Sequence, residues 1–422
     1  MARSLRVMVV DDTITYRMIM KKVAESVPGI RVTATASNGK LALDKIVSQF
    51  LSKDPECPDV VLLDVEMPVM DGLKTLKEIN RQFPTVTVVM VSGSSRSNAN
   101  IIMECLNAGA LDFITKPMES NVDQARDALH KDLEPILTLL LKECVEREAK
   151  EPDVSQTGVE NKTGQVAVPE KVAIRGGPVV KSLSKTRVPG DGFGRLPPPG
   201  GQGVSRGILV AGTVATPFRG GGEVASADSP ELILVGSSTG GPAALTRLLG
   251  RIGSRLPVPM LIVQHMPPVF TASLAAQLAR TSGLDVKEAQ DGQWVEPGEV
   301  VIAQGGRHMT VISEGKKLRI GLNDGPKVNE CRPAVDVLFM SASVSFQGRI
   351  LAVILTGMGR DGANGVDALK RSGHTYCITQ DQKTCVVYGM PRSVDEKGLS
   401  DLSLPLDEIG PRIAGFFGKG DR

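Results

Sequence analysis

The chain has 422 residues, enough for two or three domains with substantial cores, and its nearly balanced acids and bases leave a formal net charge of +2. This charge gives no electrostatic drive towards nucleic acid, and three Tyr and one Trp are too few for a base-stacking platform. Six cysteines show neither a C-x-x-C pair nor zinc-ligand spacing, so we expect free thiols in a reducing compartment.

The N-terminus shows no targeting or membrane segment. The first apolar stretch is interrupted by Asp11 and Asp12, which argues against a signal peptide, and no run of about 20 apolar residues follows. We therefore expect a cytoplasmic protein without membrane insertion, and we expect a monomer that binds no nucleic acid.

Short apolar runs alternate with helix-length segments in the first third of the chain. The predicted strands are Leu5–Val10, Arg31–Ala36, Val60–Leu63, Thr87–Val91 and Phe113–Thr115. The predicted helices are Ile14–Val27, Lys40–Phe50, Gly72–Gln82, Asn98–Ala108 and a long one from about Asp123 to Ala149. This alternation predicts a doubly wound parallel sheet with its site at one edge.

Polar side chains stand at the ends of these strands, namely Asp11, Asp12, Asp64, Ser92 and Lys116. Unit charges about 4 Å apart repel by roughly 4 kcal/mol at an effective dielectric near 20, so the three carboxylates imply a divalent cation. Mg²⁺ suits oxygen ligands and would leave room for a phosphoryl group. Asp64 would then receive phosphate as a carboxylate nucleophile, and Lys116 with Ser92 would bind its oxygens. Helix capping would explain one such acidic residue but not the whole set.

A long segment of different composition, residues 150–228, follows this region. It is rich in Gly, Pro, Ser, Thr, Val and basic residues and shows no sustained helical or strand period. Such a composition cannot bury a core and predicts a flexible linker with an end-to-end distance of roughly 50 Å. Its basic residues either bind an acidic partner or only keep the linker in solution.

The stretch GSSTGG, Gly236–Gly241, directly follows the apolar run Leu232–Val235. Its middle serine, Ser238, fits the G-x-S-x-G turn, in which small flanking residues expose a hydroxyl nucleophile and turn backbone N–H groups towards a carbonyl. A Gly-rich turn that opens a helix also cradles phosphate, and a purely structural turn is a third interpretation. The stretch alone does not decide between these interpretations.

Partners for this serine follow later apolar runs. His265 comes directly after the predicted strand Met260–Gln264, and Asp361 follows the predicted strand Ile350–Leu355. Because the C-terminal ends of parallel strands share one edge, Ser238, His265 and Asp361 are expected to converge. The imidazole would take the serine proton, and the carboxylate would fix its tautomer. The chain order Ser, His, Asp differs from that of α/β-hydrolases and argues against that fold.

The other C-terminal elements also alternate. They are predicted at Pro242–Leu249, Val269–Ala279, Arg332–Val344, Gly362–Ser372 and Thr375–Thr379, with a β-ribbon over about Glu299–Leu322. This pattern predicts a mostly parallel sheet between helices with an antiparallel appendage. Of the three other histidines, His308 could contact the substrate. We expect His374 to be a structural residue and His130 to be a solvated helix residue.

Both sets of motifs resemble known families. Asp11-Asp12, Asp64 with Met67-Pro68 and Asp71-Gly72, Ser92, and Lys116-Pro117 resemble the receiver domain of two-component response regulators over roughly the first 125 residues. The region from about Glu231 to Phe417 resembles the protein-glutamate methylesterase domain of CheB-type chemotaxis regulators. Its matching segments are Gly236–Gly241, Gln264–Pro268, Arg332-Pro333 with Val335–Phe339, Leu355–Gly359 with Asp361-Gly362, and Gly389–Pro391.

The resemblance implies a flavodoxin-like (βα)5 receiver domain over residues 1–149, whose core ends at about 125, and a doubly wound α/β methylesterase domain over 229–422. In the second domain it implies that Ser238 is the nucleophile, His265 the general base and Asp361 its orienting carboxylate. Thr239 and Met358 match positions at the oxyanion site.

In the receiver the resemblance implies that Asp64 is the phosphoacceptor and that Asp11 and Asp12 bind Mg²⁺ with it. Ser92 and Lys116 match the residues that read out phosphorylation, and Phe113 matches the aromatic residue that rotates inward on activation. No cofactor is implied for the ester chemistry.

The implied function is a phosphorylation-regulated esterase that hydrolyses glutamate methyl esters, and deamidates glutamines, on cytoplasmic helices of methyl-accepting chemoreceptors. A histidine kinase would be the phosphodonor. Two alternatives stay open: a receiver-linked nucleotide-binding regulator, although no acidic ribose ligand ends the next strand, and a catalytically silent receptor-binding scaffold. Val269 and Gln304 stand where glycine and proline are common in the family, which leaves the fit of the substrate open.

Overall fold

The structure is a computed structural model that describes residues 4–93, 95–117, 122–150, 229–253, 256–315 and 317–418. The predicted linker, 150–228, lies outside the described residues except for its first position. The described residues on the two sides of that gap belong to the same unit of tertiary contacts.

The N-terminal sheet has five parallel strands in the order β2-β1-β3-β4-β5. The strands are β1 (Leu5–Val10), β2 (Ile30–Ala36), β3 (Val60–Asp64), β4 (Thr87–Ser92) and β5 (Asp112–Thr115). The helices are α1 (Ile14–Ser26), α2 (Gly39–Leu51), α3 (Gly72–Gln82), α4 (Arg96–Asn107) and α5 (Val122–Lys150). The central strands are buried almost throughout because helices cover both faces of the sheet. The predicted alternation of strands and helices is confirmed.

The start of α3 shows why the pair Asp71-Gly72 follows the third strand. The Asp71 carboxylate accepts a hydrogen bond from the Lys74 backbone N–H at 2.8 Å and so caps the helix. A Cβ at Gly72 would lie 2.2 Å from the carbonyl oxygen of Asp64. Only glycine therefore allows the helix to begin this close to the end of β3.

The C-terminal sheet has seven strands in the order β15-β14-β13-β6-β7-β10-β8, and every pairing in it is parallel. Its strands are β6 (Leu232–Ser237), β7 (Met260–Gln264), β8 (Asp285–Glu288), β10 (Glu299–Ile302), β13 (Ile350–Ile354), β14 (Thr375–Gln380) and β15 (Leu402–Leu404). Its helices are α6 (Gly241–Ile252), α7 (Phe270–Ser282), α8 (Val335–Ser345), α9 (Ala363–Ser372), α10 (Met390–Asp395) and α11 (Leu406–Gly415). The predicted mostly parallel sheet is confirmed.

The predicted β-ribbon over Glu299–Leu322 is partly wrong. Its first part is β10, a parallel strand between β7 and β8, because Val300, Val301 and Ile302 are all buried and require cover on both faces. The antiparallel ribbon consists of β11 (His308–Glu314) and β12 (Lys317–Asn323), with β9 (Trp294–Val295) beside it. In β12 buried residues alternate with exposed or half-buried ones, as in a half-covered strand.

The register of the central strands brings three chain segments to one edge of the second sheet. Ser237 pairs with Gln264, and Gly236 pairs with Ile354. The residues that follow these strands therefore emerge side by side at their C-terminal ends, where open α/β sheets carry their sites.

Helix α4 of the N-terminal sheet packs against α6 and α7 of the C-terminal sheet. One buried cluster contains apolar residues of both parts, including Ile102 and Met103 of α4 and Leu274 of α7. The helices that follow β6 and β7 of the second sheet therefore cover a helical surface of the first sheet. No helix in the described ranges is long and apolar enough to cross a bilayer.

Candidate active site

Ser238 lies in the turn between β6 and α6, where Gly240 adopts φ +75°, a backbone conformation that favours glycine. Gln264 holds the turn from the neighbouring strand. Its Oε1 accepts a hydrogen bond from the Ser237 hydroxyl at 2.7 Å, and its Nε2 donates to the Ser238 carbonyl at 2.9 Å. A Cβ at Gly241 would lie 1.9 Å from Gln264 Oε1, so glycine is needed for this approach. Sequence reasoning did not foresee this role of Gln264.

His265 and Asp361 are joined by a short hydrogen bond. The distance between His265 Nε2 and Asp361 Oδ2 is 2.7 Å, and both side chains are largely buried. Asp361 also accepts hydrogen bonds from the backbone N–H groups of Val335 at 2.6 Å and Asp336 at 3.1 Å. The start of α8 thus holds the carboxylate in place.

These contacts decide the charge of the pair. Burial opposes the charged imidazole, but the interactions with Asp361 and Cys331 outweigh it and raise the pKa of His265 to about 9. Burial also opposes the charged carboxylate, yet His265 and the backbone N–H groups lower the pKa of Asp361 below its ordinary value. At neutral pH the pair is therefore an imidazolium and a carboxylate.

Ser238 and His265 are neighbours, and the backbone N–H of His265 donates to the carbonyl of Ser237 at 3.1 Å. Within the described part of the chain, however, no hydrogen bond joins the Ser238 hydroxyl to the His265 ring. The second ring nitrogen, Nδ1, lies 3.4 Å from Cys331 Sγ instead. Sequence reasoning missed Cys331, because it belongs to no strand end and to no motif that suggested chemistry.

Asn329 and Asp336 complete the surroundings of the carboxylate and were also missed. Asn329 Nδ2 donates to Asp361 Oδ1 at 2.8 Å and to Asp336 Oδ2 at 2.9 Å, so it bridges two buried carboxylates. Burial and the neighbouring Asp361 charge raise the pKa of Asp336, against the hydrogen bonds that it accepts. Asp336 lies in the segment Val335–Phe339, and the resemblance of this segment to the methylesterase domain could have indicated a role for it.

The two oxyanion candidates, Thr239 and Met358, lie on loops beside Ser238. Their backbone N–H groups donate to no acceptor among the described residues. A Cβ at Gly357 would lie 2.8 Å from Ser238 Cβ, so the loop that carries Met358 runs directly against the serine. The arrangement leaves two amide donors next to the hydroxyl.

Both loops also contact the N-terminal part of the chain. Asp112 of β5 faces Thr239, and this interaction lowers the pKa of the Asp112 carboxyl against the larger, opposite effect of burial. Met358 packs against the buried cluster formed by β1, β3, β4 and the helices α1 and α5. The ring of Phe113 lies on that of Phe270 in α7, with 4.5 Å between their centroids. The first domain therefore contacts the rim of the serine site.

The remaining histidines stand apart from this cluster. His308 is buried, and its Nε2 contacts the Pro326 carbonyl at 2.9 Å. His374 is exposed, directly before β14. His130 lies on α5, 3.4 Å from Glu134. None of the three contacts the His265 and Asp361 pair in the described structure.

The acidic residues of the first sheet meet at its C-terminal edge. Carboxylate oxygens of Asp11, Asp12 and Asp64 lie within 4.8 Å of one another. Lys116 Nζ lies 2.7 Å from Asp11 and 2.8 Å from Asp64. Burial raises the pKa of Asp64 to about 6, against the effect of Lys116. Ser92 is fully buried at the end of the adjacent strand.

The two departures from the family pattern lie together at the rim. Val269 and Gln304 line a cavity with Asn100 of α4. Val269 caps α7 with φ +78°, a conformation in which a β-branched residue is strained and glycine is not. At this cavity the chain therefore enters α7 through a backbone turn that glycine would adopt more easily.

Two family models match the chain. The one described as CheB methylesterase matches residues 233–413, and the one described as response regulator receiver domain matches residues 7–128. A parallel sheet with a receiver-type acidic site, joined to a second sheet with serine, histidine and aspartate at its edge, defines a response regulator with a hydrolase-type effector domain.

Curated relatives match over their full length. A protein-glutamate methylesterase/protein-glutamine glutaminase of Desulfotalea psychrophila is 37% identical over 413 residues, covering 97% of this chain and 98% of the relative. A protein of the same name from Symbiobacterium thermophilum is 38% identical over 422 residues, covering 99% and 98%. The solved Thermotoga maritima CheB methylesterase catalytic domain is 43% identical and covers 44% of this chain and 98% of its own, with a TM-score of 0.43.

The chain belongs to the CheB methylesterase family and carries the receiver domain in front of the methylesterase domain. The predicted family, fold class and enzyme class are thereby confirmed.

Proposed function

We propose that this chain hydrolyses γ-glutamyl methyl esters on cytoplasmic helices of methyl-accepting chemoreceptors, and that it deamidates glutamines at such sites. The observation that carries the proposal is the His265 and Asp361 pair, joined at 2.7 Å beside the turn that holds the half-buried Ser238. The names of the full-length relatives support this substrate class.

Ser238 attacks the ester carbonyl while His265 takes the hydroxyl proton. Asp361 orients the ring and stabilises its charged form, since its carboxylate is held by backbone donors and stays ionised. The N–H groups of Thr239 and Met358, which donate to no acceptor among the described residues, bind the oxyanion, and loss of one such donor costs about 10²–10³ in turnover. Methanol leaves with the proton from His265, and water then cleaves the acyl-enzyme by the same route. With a glutamine substrate, ammonia leaves instead.

The acidic site suits the receiver chemistry. Asp11, Asp12 and Asp64 offer the hard oxygen ligands that Mg²⁺ prefers, close enough to share one ion. A bound Mg²⁺ would neutralise the charge that gathers around a phosphoryl group. Asp64 accepts the phosphoryl group from a histidine kinase, and Lys116 and Ser92 bind its oxygens.

Regulation follows from the contacts between the two domains. Asp112 and Phe113 lie in β5, the strand that leads to Lys116. A shift of Lys116 towards a phosphoryl group therefore moves β5, and with it the contacts of Asp112 with Thr239 and of Phe113 with Phe270. Phosphorylation then weakens the contact and opens the serine site to a receptor helix. The unphosphorylated receiver limits access to Ser238.

Methanol release from methylated receptor membranes tests both halves, with and without acetyl phosphate. The wild-type chain should release methanol and should accelerate with the phosphodonor. Ser238→Ala should release none, whereas Ser403→Ala, at an exposed position of β15, should match the wild type. Asp64→Asn should keep basal release and lose the acceleration. Release by Ser238→Ala would contradict the nucleophile, and acceleration of Asp64→Asn would contradict the phosphoacceptor.

A further inference from the structure

The hydrogen bonds of Asp361 determine which nitrogen of His265 can act as a base. An ionised carboxylate only accepts hydrogen bonds, so the nitrogen that faces it, Nε2, carries a proton. In the neutral imidazole the other nitrogen, Nδ1, then holds the free lone pair. The proton of Ser238 must therefore arrive at Nδ1.

Nδ1 already has a neighbour, and that neighbour is Cys331. Its Sγ lies 3.4 Å from Nδ1, while the described structure contains no hydrogen bond between His265 and the Ser238 hydroxyl. An imidazole nitrogen has a single in-plane site for a hydrogen bond. In the imidazolium form Nδ1 carries a proton that it donates to the Cys331 sulfur, and in the neutral form the serine hydroxyl must donate to the same position, so the two side chains compete for it.

The position of Cys331 is set by its loop. Asn329 and Glu330 have φ of +52° and +62°, in the left-handed region. The Asn329 side chain turns inward to Asp361, and Glu330 turns outward to Lys131 of α5 at 3.3 Å. The Cys331 backbone N–H also donates to the Val328 carbonyl at 2.9 Å. The thiol is thus held against the ring by contacts on both sides of the loop.

We propose that Cys331 is a positioning residue that occupies Nδ1 of His265 and holds the imidazole away from Ser238 in the unphosphorylated chain. The inference rests on the proposed esterase function and adds a second determinant of basal activity. The loop of Cys331 touches α5 through Glu330, so the contact belongs to the form in which the receiver is docked.

The titratable groups that face His265 are Asp361, on the loop after β13, and Cys331. Asp336 of α8 lies behind Asp361 and is bridged to it by Asn329. Both facing groups stabilise the imidazolium form of His265. Removing the thiol while keeping Asp361 should leave the ring neutral more often at neutral pH.

The test compares Cys331→Val, which keeps a similar shape but forms no hydrogen bond, with Cys331→Ser, which keeps a hydrogen-bonding group. The readout is the pH dependence of kcat/KM for methanol release by the full chain without phosphodonor. For Cys331→Val we expect a midpoint lower by about one pH unit and activity at neutral pH higher by about tenfold. Cys331→Ser should stay close to the wild-type profile.

A second measurement does not depend on turnover. The chain has four histidines, so the ring ¹⁵N signals of His265 can be followed by NMR in Ser238→Ala chains with and without Cys331→Val. We expect the Val substitution to lower the titration midpoint of His265. An unchanged midpoint in both measurements, or equal loss of activity in Cys331→Val and Cys331→Ser at the wild-type midpoint, would overturn the positioning role. Methanol release by Ser238→Ala alone would instead overturn the proposed function.

Discussion

The acidic site of the first sheet and the serine site of the second sheet lie at the same place in the architecture, the C-terminal edge of parallel strands, but their charges are held differently. In the first site a lysine at a strand end neutralises two carboxylates, with Lys116 Nζ within 2.8 Å of both Asp11 and Asp64. In the second site no lysine or arginine in the described residues forms an ion pair with Asp361. Backbone N–H groups and Asn329 hold it, and His265 is its only ionic partner there.

This difference shows which contacts change when each site becomes active. The first site can exchange one ion pair for another when a phosphoryl group arrives, because all of its members come from strand ends. The activity of the second site depends on which hydrogen bond the His265 imidazole makes, and residues on loops determine that hydrogen bond. We expect substitutions at the loops to change activity in degree, and substitutions of the proton relay to abolish it.

The largest effect should come from Asp361→Asn. An amide would present N–H groups to a position surrounded by backbone donors and would reverse the tautomer of His265, so kcat should fall by about 10⁴-fold. The measurement is methanol release, with Asp367→Asn as the matched control, since this half-buried carboxylate of α9 pairs only with Arg371 among the described residues. A fall of less than about tenfold would exclude the orienting role.

The pH dependence should be the next largest effect. A general base must be neutral to act, and the pKa of His265 is raised to about 9 from its ordinary value of 6.5. In the unphosphorylated chain kcat/KM should therefore rise with pH and level off above about 9, with activity at pH 7 lower than the plateau by about 100-fold. A profile that levels off near 6.5 would show that the imidazole is not held in its charged form.

The same shift has a consequence for stability with the opposite sign. A folded pKa above the unfolded value means that the imidazolium stabilises the fold, fully so below pH 6.5, and that this contribution disappears as pH rises through about 9. The Asp361 contribution runs the other way, because its lowered pKa stabilises the fold above its ordinary value and is lost in acid. Thermal unfolding of wild type and Asp361→Asn across this range measures both.

A moderate effect should come from Asp112→Ala, which removes the carboxyl group of β5 that faces Thr239. If this contact helps to close the serine site, basal methanol release should rise by about 5–10-fold, and acetyl phosphate should then add less than it adds to wild type. Asp127→Ala, at an exposed position of α5, is the matched control. Unchanged basal release would show that the contact of Asp112 with Thr239 does not regulate the site.

The smallest effect should come from the stacked rings of Phe113 and Phe270. The single variants Phe113→Leu and Phe270→Leu and the double variant form a cycle whose coupling we expect at about 0.5–1.5 kcal/mol, read from basal activity. Additive effects of the two single substitutions would mean that the contact between the rings does not couple the two domains. Phe270 is fully buried, so the folding of each variant should be followed by thermal unfolding.

Much of the fold was predictable because it rests on local patterns. The strands β1 and β7 begin and end at the predicted residues, and α3 does so as well, since Asp71 and Gly72 mark its start. The second sheet was predicted less completely. The strands β8 and β15 of this sheet, β9 beside the ribbon and the helix α10 have two to six residues, too few for a period to stand out. The helix α11 was not predicted, although it is as long as α9. The strand β10 was assigned to the ribbon because an apolar run of four residues fits either arrangement.

The residues of the candidate sites also divide into those that local patterns predict and those that they do not. Asp11, Asp64 and Lys116 stand together as expected because strand ends in a parallel sheet must share an edge, and the same rule places His265 beside Asp361. Cys331 and Asn329 could not be found in this way. They come from a loop whose path depends on two residues in the left-handed region, and no spacing rule connects that loop to His265.

The amino-acid sequence alone determined the two-domain α/β architecture, the family and the strand-end residues, because alternating apolar runs and the chemistry of strand ends are local properties of the chain. The tertiary structure alone decided which nitrogen of His265 faces Asp361, that Cys331 occupies the other, and that Asp112 reaches Thr239. Those contacts join segments far apart in the chain, and their geometry depends on side-chain packing and loop backbone that no local pattern specifies.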